Sequence, residues 1–112
     1  MEIVNVFETG VVDTPHKVDV RKLYDQESAQ VMHITLQPNE SLKPHITPVD
    51  VFFYVLEGTV DVRIGDETVS VSKDCLVESP KDIVHNLSNS SNAITRILVV
   101  KAPKPVAKSR VL

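Results

Sequence analysis

The stretch VDVFFYVLEG, residues 49–58, decides the fold of this chain. Its first eight residues are almost all apolar, and most are β-branched or aromatic, which favours a strand over a helix. A continuous apolar run of this length predicts a strand that is buried on both faces of its sheet. Glu57-Gly58 ends the run as a turn.

The composition extends this β character to the whole chain. Valine occurs 20 times, isoleucine and threonine seven times each, and alanine only four times. Branching at Cβ restricts side-chain rotation and suits a pleated sheet better than a helix. The sequence therefore predicts an all-β protein.

Short alternating segments predict further strands on both sides of the central stretch. Besides residues 49–56, the predicted strands cover residues 18–23, 31–36, 59–64, 67–71, 75–77, 83–87 and 94–100. Gly65-Asp66 joins two of them as a two-residue turn with glycine first, which is typical of a type II′ hairpin. Strands at this spacing are typical of a sandwich or a small barrel.

Residues 1–112 are predicted to form a single domain of 12.4 kDa with distinct segments at its two ends. Residues 1–10 are apolar enough to form an N-terminal strand, which could cover an open sheet edge by exchange across a dimer. Residues 102–112 carry two prolines and predict an extended, partly mobile tail. Because exchange of the N-terminal strand requires a second subunit, we expect a homodimer.

Charge and hydropathy disfavour several classes of partner. Twelve basic against fifteen acidic residues give a net charge of −3, so the chain has no basic excess for binding nucleic acid. No apolar run approaches the roughly 20 residues that span a bilayer, so no membrane partner is expected. Residues 1–5 lack the features of a signal peptide, and the single Cys75 cannot form an internal disulfide. A cytoplasmic protein is expected.

Four histidines are the main candidates for chemistry: His16, His33, His45 and His85. His45 and His85 each lie beside a predicted strand entrance, where a barrel opens to solvent. Two imidazoles that converge there could hold a divalent metal. The alternative is two independent surface or hydrogen-bonded histidines.

Two stretches resemble the motifs of the cupin superfamily. Residues 44–58 resemble the first cupin motif, and residues 74–89 resemble the second, with Pro80, His85 and Asn89 at the family's spacing. The resemblance is to small single-domain cupins of the type-2 conserved-barrel kind. It implies a double-stranded β-helix, or jelly-roll, barrel that spans most of the chain.

The resemblance also implies a metal site, in which a divalent ion (Fe, Mn, Ni or Zn) usually sits on three histidines and one glutamate. His45 matches the first histidine and His85 the last, so these two are the expected metal ligands. Thr47 stands at the second histidine and Val51 at the glutamate, so the ligand motif is degenerate. The second motif departs as well, because two expected glycines are replaced by Asp74 and Asp82.

Three other residues are candidates to bind a ligand or to complete the metal shell. Thr47 could contribute a neutral oxygen, and Asp50 a carboxylate if a bulge near Pro48 turned it inward. His33 alternates with apolar neighbours, so it should face away from the apolar layer, exposed or at an interface, and it is the spare imidazole. His16, beside Pro15 in a predicted loop, is expected at the surface.

Two functions remain open at this point. The first is a metal-dependent cupin that acts on a small oxygenated compound by dioxygenation, decarboxylation or isomerisation, as the resemblance implies. The second is a metal-free cupin that binds a small molecule or serves as a binding module, since valine at the glutamate position makes the pocket more apolar. The fold alone does not choose between them, nor does it settle whether the protein is an enzyme.

Overall fold

The computed structural model describes residues 1–112 as two antiparallel five-stranded sheets. The first sheet has the order β1 (Asp19–Gln26), β2 (Ala29–Leu36), β9 (Thr95–Lys101), β4 (Val51–Glu57) and β7 (Leu76–Ser79). The second has the order β10 (Arg110–Val111), β3 (His45–Ile46), β8 (Val84–Ser88), β5 (Thr59–Ile64) and β6 (Glu67–Ser72). The predicted all-β, double-stranded β-helix architecture is confirmed.

Side chains from both sheets share one apolar core. Phe53 is the largest of them and is only 1% exposed, with Leu36, Val55, Leu87 and Ile97 fully enclosed around the same interior. The remaining buried apolar residues are Val20, Ile34, Leu42, Val51, Val60, Val62 and Val99. Because successive strand residues point to opposite faces, each inner strand contributes every second residue to this core.

The central strand differs from its prediction in one respect. In β4 the buried residues alternate with half-buried ones, so only the face that carries Val51, Phe53 and Val55 is fully enclosed. Phe52 and Tyr54 lie on the outer face and remain partly accessible. A strand buried on both faces was therefore the wrong expectation, since the outer face of β4 remains partly accessible.

The turns have the backbone geometry that the motifs require. Gly58, after β4, has a φ of +76°, and an added Cβ would meet the carbonyl oxygen of Ile94 at 2.6 Å. Gly65 has a φ of +60° as the first residue of the β5–β6 turn, in agreement with the predicted hairpin. Asp74 and Asp82 have φ values of +70° and +63°, so they adopt the left-handed conformation at the two positions where the motif that this stretch resembles has glycine.

The N-terminal segment is not a strand. Residues 1–5 are irregular and Val6–Glu8 form one turn of 3₁₀ helix. The guanidinium of Arg21 donates to the carbonyl oxygens of Val6 and Thr9, both at 3.1 Å, which fixes the segment against the outside of the first sheet. An extended strand could not present these carbonyls to one side chain, and this overturns the predicted strand at residues 1–10.

The C-terminal tail crosses the opening between the sheets. It begins with a hydrogen bond from the Ala102 amide to the Asp50 carbonyl and ends as β10, which pairs with β3. The predicted extended tail at residues 102–112 thus contains a short strand. The structure has no helix with the length and apolar character needed to span a membrane.

Candidate functional site

The two motif histidines lie side by side inside the barrel. Strands β3 and β8 pair in a register that places His45 directly opposite His85, so both side chains point to the same face. Their Nε2 atoms are 3.1 Å apart, and both residues are buried. Strand pairing therefore brings together two histidines that are 40 positions apart in the sequence.

The hydrogen-bond partners assign a proton to each ring. His45 Nδ1 is 2.8 Å from the carbonyl oxygen of Lys43, which only accepts, so Nδ1 carries the proton and Nε2 is a lone-pair acceptor. His85 must then donate from its own Nε2 to His45. The Nδ1 of His85 accepts from the hydroxyl of Ser79 at 2.6 Å. Both imidazoles are held neutral in one continuous chain of hydrogen bonds.

Thr47 joins this chain from one side. Its Oγ1 lies 3.2 Å from His85 Nε2 and 3.0 Å from the hydroxyl of Ser109 in the tail. The proton on His85 Nε2 therefore has two acceptors within reach, His45 and Thr47. The residue that replaces the second motif histidine supplies an alternative acceptor.

A third histidine belongs to the same cluster, contrary to its expected place at the surface. The ring centroid of His16 is 4.8 Å from that of His45, and its Nδ1 accepts from the Lys43 amide at 2.9 Å. Lys43 thus orients two histidines through its backbone, one by its N–H and one by its C=O. The sequence has no signal for this, because His16 lies in a turn that precedes the first strand.

A lysine is the second functional candidate that the sequence analysis missed. Lys101 ends β9, where Thr95, Ile97 and Val99 alternate into the core, so its side chain shares their inward face. It is half-buried and forms no salt bridge in the structure. Burial lowers the pKa of Lys101.

Burial and neighbouring positive charge keep the histidines uncharged at neutral pH. Burial first, then the charges of His45 and Lys101, lower the pKa of His85 to about 3. Burial first, then His45, Lys101 and Lys43, lower the pKa of His16 to about 4. Burial and the charge of Lys101 also lower the pKa of His45, against the raising effect of its bond to the Lys43 carbonyl.

A cavity of about 480 Å³ opens from this cluster. His45, His16 and Lys101 form its polar end, and the tail residues 105–109 form one wall. The other walls are mostly apolar and include Val20, Met32, Ile34, Phe53 and Val99. A mainly apolar cavity with a few convergent polar groups is the usual form of a small-molecule site.

Two of the sequence candidates lie elsewhere. Asp50 is exposed, does not line the cavity, and its carboxylate accepts from the Lys81 amide at 2.9 Å. His33 does face away from the core, but it is buried, because Phe7 of the N-terminal turn covers it. His33 was expected to be exposed or at an interface, but it is buried within its own chain, because the alternation along β2 does not reveal that Phe7 covers this position.

The metal that cupins usually hold fits this donor set poorly. The Nδ1–H of His45 makes the outer hydrogen bond that typically orients a metal-bound histidine, whereas His85 would first have to move its proton from Nε2 to Nδ1. However, no set of three or more His, Cys, Asp or Glu residues is positioned to hold a metal ion. The remaining motif positions offer a hydroxyl and a valine, and the ammonium of Lys101 adds a positive charge to the same space.

Two five-stranded sheets around an interior histidine pair define a small double-stranded β-helix protein with a cavity at one end. A family model described as a Cupin domain matches residues 32–101, and the chain belongs to this family. The match begins within β2 and ends at Lys101 on β9.

The chain is also similar in sequence to a curated protein. The chain is 31% identical over 72 residues to the tetracenomycin polyketide synthase protein TcmJ of Streptomyces glaucescens. The aligned region covers 63% of this chain and 48% of TcmJ. The chain thus spans about half the length of this curated relative.

Two solved structures show the same fold. The polyketide cyclase RemF from Streptomyces resistomycificus superposes with a TM-score of 0.85 at 23% identity, over 100% of this chain and 85% of RemF. The protein TT1209 from Thermus thermophilus superposes with a TM-score of 0.80 at 28% identity, over 94% of this chain and 100% of TT1209.

Proposed function

We propose that this cupin binds a small oxygenated compound in its cavity and moves a proton on that compound with His45, without a metal ion. The observation that carries the proposal is the neutral histidine pair at the polar end of an apolar cavity. The similarity to TcmJ and RemF, whose names connect them with polyketide assembly and cyclisation, favours an oxygenated and largely apolar ligand.

His45 is the proposed base because it lines the cavity, whereas His85 lies behind it. In the free protein the Nε2 lone pair of His45 accepts the proton of His85. A small rotation of the His85 ring can direct that proton to Thr47 Oγ1, which is at nearly the same distance, 3.2 Å instead of 3.1 Å. The lone pair of His45 then becomes available to a C–H or O–H of the ligand, and His85 acts as a positioning residue.

A proton-exchange assay tests this proposal directly. The probe is 2-tetralone, a bicyclic ketone with acidic α-protons, and the readout is their replacement by deuterium in D₂O, followed by NMR. Chelator-treated protein should accelerate the exchange by about 10²-fold over buffer, the lower range for general base catalysis. His45→Gln should abolish the acceleration, and His33→Gln, a matched change outside the cavity, should preserve it.

Two results would overturn the proposal. The first is an exchange rate that chelator-treated protein leaves unchanged. The second is an acceleration that appears only after a divalent metal is added, since this would assign the chemistry to the ion.

A metal-dependent cupin is the competing proposal. It is favoured by the Nδ1 hydrogen bonds of His45 and His85, which turn both Nε2 atoms toward one point. Metal analysis of protein purified without chelator, then incubated with Mn, Fe, Ni or Zn, decides between the two. A stoichiometric ion that is lost in the His45→Ala/His85→Ala double variant would establish the metal site.

The homodimer predicted from the sequence stays a prediction. The exposed apolar side chains of Ile3, Val4 and Phe7 favour it. In such a dimer the N-terminal segment would pack against the partner subunit as a turn and would not exchange as a strand. Sedimentation at micromolar concentration measures it, and a monomeric mass would count against it.

A further inference from the structure

The position of Lys101 bears on which compounds the cavity accepts. In the first sheet Lys101 pairs with Gln30 of β2 on one side and with Val51 of β4 on the other. Residues that pair directly across antiparallel strands point to the same face, so Lys101 and Val51 share the interior. Val51 holds the position at which the first cupin motif has its glutamate. Compared with the motif, this chain therefore has valine in place of an interior carboxylate, and it has an interior ammonium on the neighbouring strand.

No carboxylate of the protein balances this ammonium. Asp13 is the only acidic residue that lines the cavity, and it is exposed and paired with Lys17 at 2.8 Å. Asp25, on the strand beside Gln30, is bound by Lys22 and Lys104. Burial lowers the pKa of Lys101 and no neighbouring charge raises it, which agrees with the missing partner.

The histidines do not compensate for the charge either. His45, His85 and His16 are neutral, and each has a pKa that the charge of Lys101 lowers further. Lys101 is therefore the half-buried cation beside the neutral histidines in a mostly apolar space, whereas Lys108, the other lysine that lines the cavity, is exposed. An unpaired charge in such surroundings is unfavourable, and an anion that enters the cavity removes the penalty.

We propose that the cavity selects a small organic carboxylate, with the ammonium of Lys101 as its anchor and His45 beside the body of the ligand. This inference rests on the small-molecule binding proposed above and narrows its substrate class. An aromatic or alicyclic body suits the apolar walls, and the carboxylate suits the half-buried ammonium of Lys101.

A pair of isosteric probes tests the inference on the unmodified protein. The probes are 2-naphthoate and 2-naphthamide, which have the same shape and differ in charge, and the readout is the dissociation constant from calorimetry at pH 7.5. We expect 2-naphthoate to bind about 10- to 100-fold more tightly than 2-naphthamide, the range for a hydrogen bond to a charged group.

Variants then assign the effect to Lys101. Lys101→Met should weaken 2-naphthoate binding to the level of 2-naphthamide and leave the amide unchanged, and Lys101→Arg should keep the preference for the acid. Lys73→Met removes an exposed lysine from a turn outside the cavity, and it should change neither constant. Lys101→Met should also fold at least as stably as the parent, because it replaces a half-buried charge with an apolar chain of similar length.

Each outcome decides one of the two proposals. Equal affinities for the acid and the amide would overturn the carboxylate inference and leave small-molecule binding standing. An acid preference that survives in Lys101→Met would remove Lys101 as the anchor. If neither probe binds, both the inference and the small-molecule proposal fail. The comparison of probes on the parent protein remains decisive even if a variant does not fold.

Discussion

His85 and His33 are almost equally hidden from solvent, at 2% and 1% exposure, yet their surroundings differ in kind. His85 lies between the sheets, and both of its ring nitrogens have partners. His33 lies outside the first sheet, where Arg96 donates to its Nε2 at 3.0 Å and its Nδ1 has no partner. Burial alone therefore does not distinguish these two histidines; the complete hydrogen-bond chain and the nearby cavity do.

The two histidines also differ in what covers them. The interior pair lies on two paired strands, where His45 of β3 is directly opposite His85 of β8. The outer histidine is covered by Phe7, whose ring carries the guanidinium of Arg96 at 5.1 Å and packs edge-on against His33. The inner site is thus part of the core, and the outer one depends on a single turn.

Two phenylalanine truncations should separate these regions most strongly. Phe53 is 1% exposed and its ring lies 5.3 Å from that of His85, so Phe53→Ala should lower the free energy of unfolding by about 3–5 kcal/mol. Phe7 is 66% exposed, and Phe7→Ala should lower it by less than about 1 kcal/mol. Urea denaturation measures both, and similar losses would show that the outer turn is as integral to the fold as the core.

Removing the hydroxyl behind His85 tests whether the inner chain of hydrogen bonds is needed. Ser79→Ala leaves the His85 Nδ1 acceptor buried without a donor and should lower the free energy of unfolding by about 1–3 kcal/mol. Ser90→Ala, which removes a 2.6 Å hydrogen bond at the exposed surface, is the matched control and should have a smaller effect. Equal losses would show that the hydroxyl behind His85 contributes no more to stability than a hydrogen bond at the surface.

Acid should destabilise the outer site through His33. Burial first, then the charge of Arg96, lowers the pKa of His33, with Arg21 acting in the same direction and Asp19 against it. The neutral ring therefore contributes stability that is present above pH 6.5, the ordinary histidine value, and is lost as the pH falls below it. Protonation of His33 alone can lower the free energy of unfolding by at most about 1.4 kcal/mol for each pH unit below this value.

Unfolding of the parent and of His33→Gln at pH 7.5, 6.5 and 5.5 measures this contribution. The interior histidines remain in both proteins, so their own pH dependence cancels in the difference. The parent should lose more stability than the variant over this range. Parallel curves would mean that His33 titrates normally in the folded protein.

The contact between the tail and the inner site should have the smallest effect. Ser109→Ala removes the 3.0 Å hydrogen bond to Thr47 and should change the free energy of unfolding by less than about 1 kcal/mol. Its effect should appear instead as faster hydrogen exchange at the amide of Leu112, which donates to the Pro44 carbonyl at 3.0 Å. Unchanged exchange there would show that the tail is held by other contacts.

The sequence predicts the regular parts of the fold well. Residues 59–64 and 67–71 alternate clearly and form β5 and β6, with the turn at Gly65 between them. The two-residue strands β3 and β10 carry no pattern of their own, because pairing with distant segments creates them. The N-terminal apolar residues were predicted as a strand because the pattern contains no sign of the Arg21 side chain that captures the turn.

The site is predictable only in part for the same reason. Motif spacing relates His45 to His85, because it reflects the strand pairing that places them side by side. His16 reaches the pair through the backbone of Lys43, a contact with no trace in local sequence. The inward direction of Lys101 follows from the alternation of β9, but its place beside Val51 requires the register of two strands that are far apart in the sequence.

The tail gives the cavity a wall that is separate from both sheets. Residues 105–109 line the interior, and the structure ties them down through the two-residue pairing of β10 and the contact of Ser109 with Thr47. An outward movement of this wall would break no ladder hydrogen bond between the longer strands. The rate of ligand entry would then depend on how often residues 105–109 move away from the cavity, and a ligand too large for the closed cavity would hold them in the outward position.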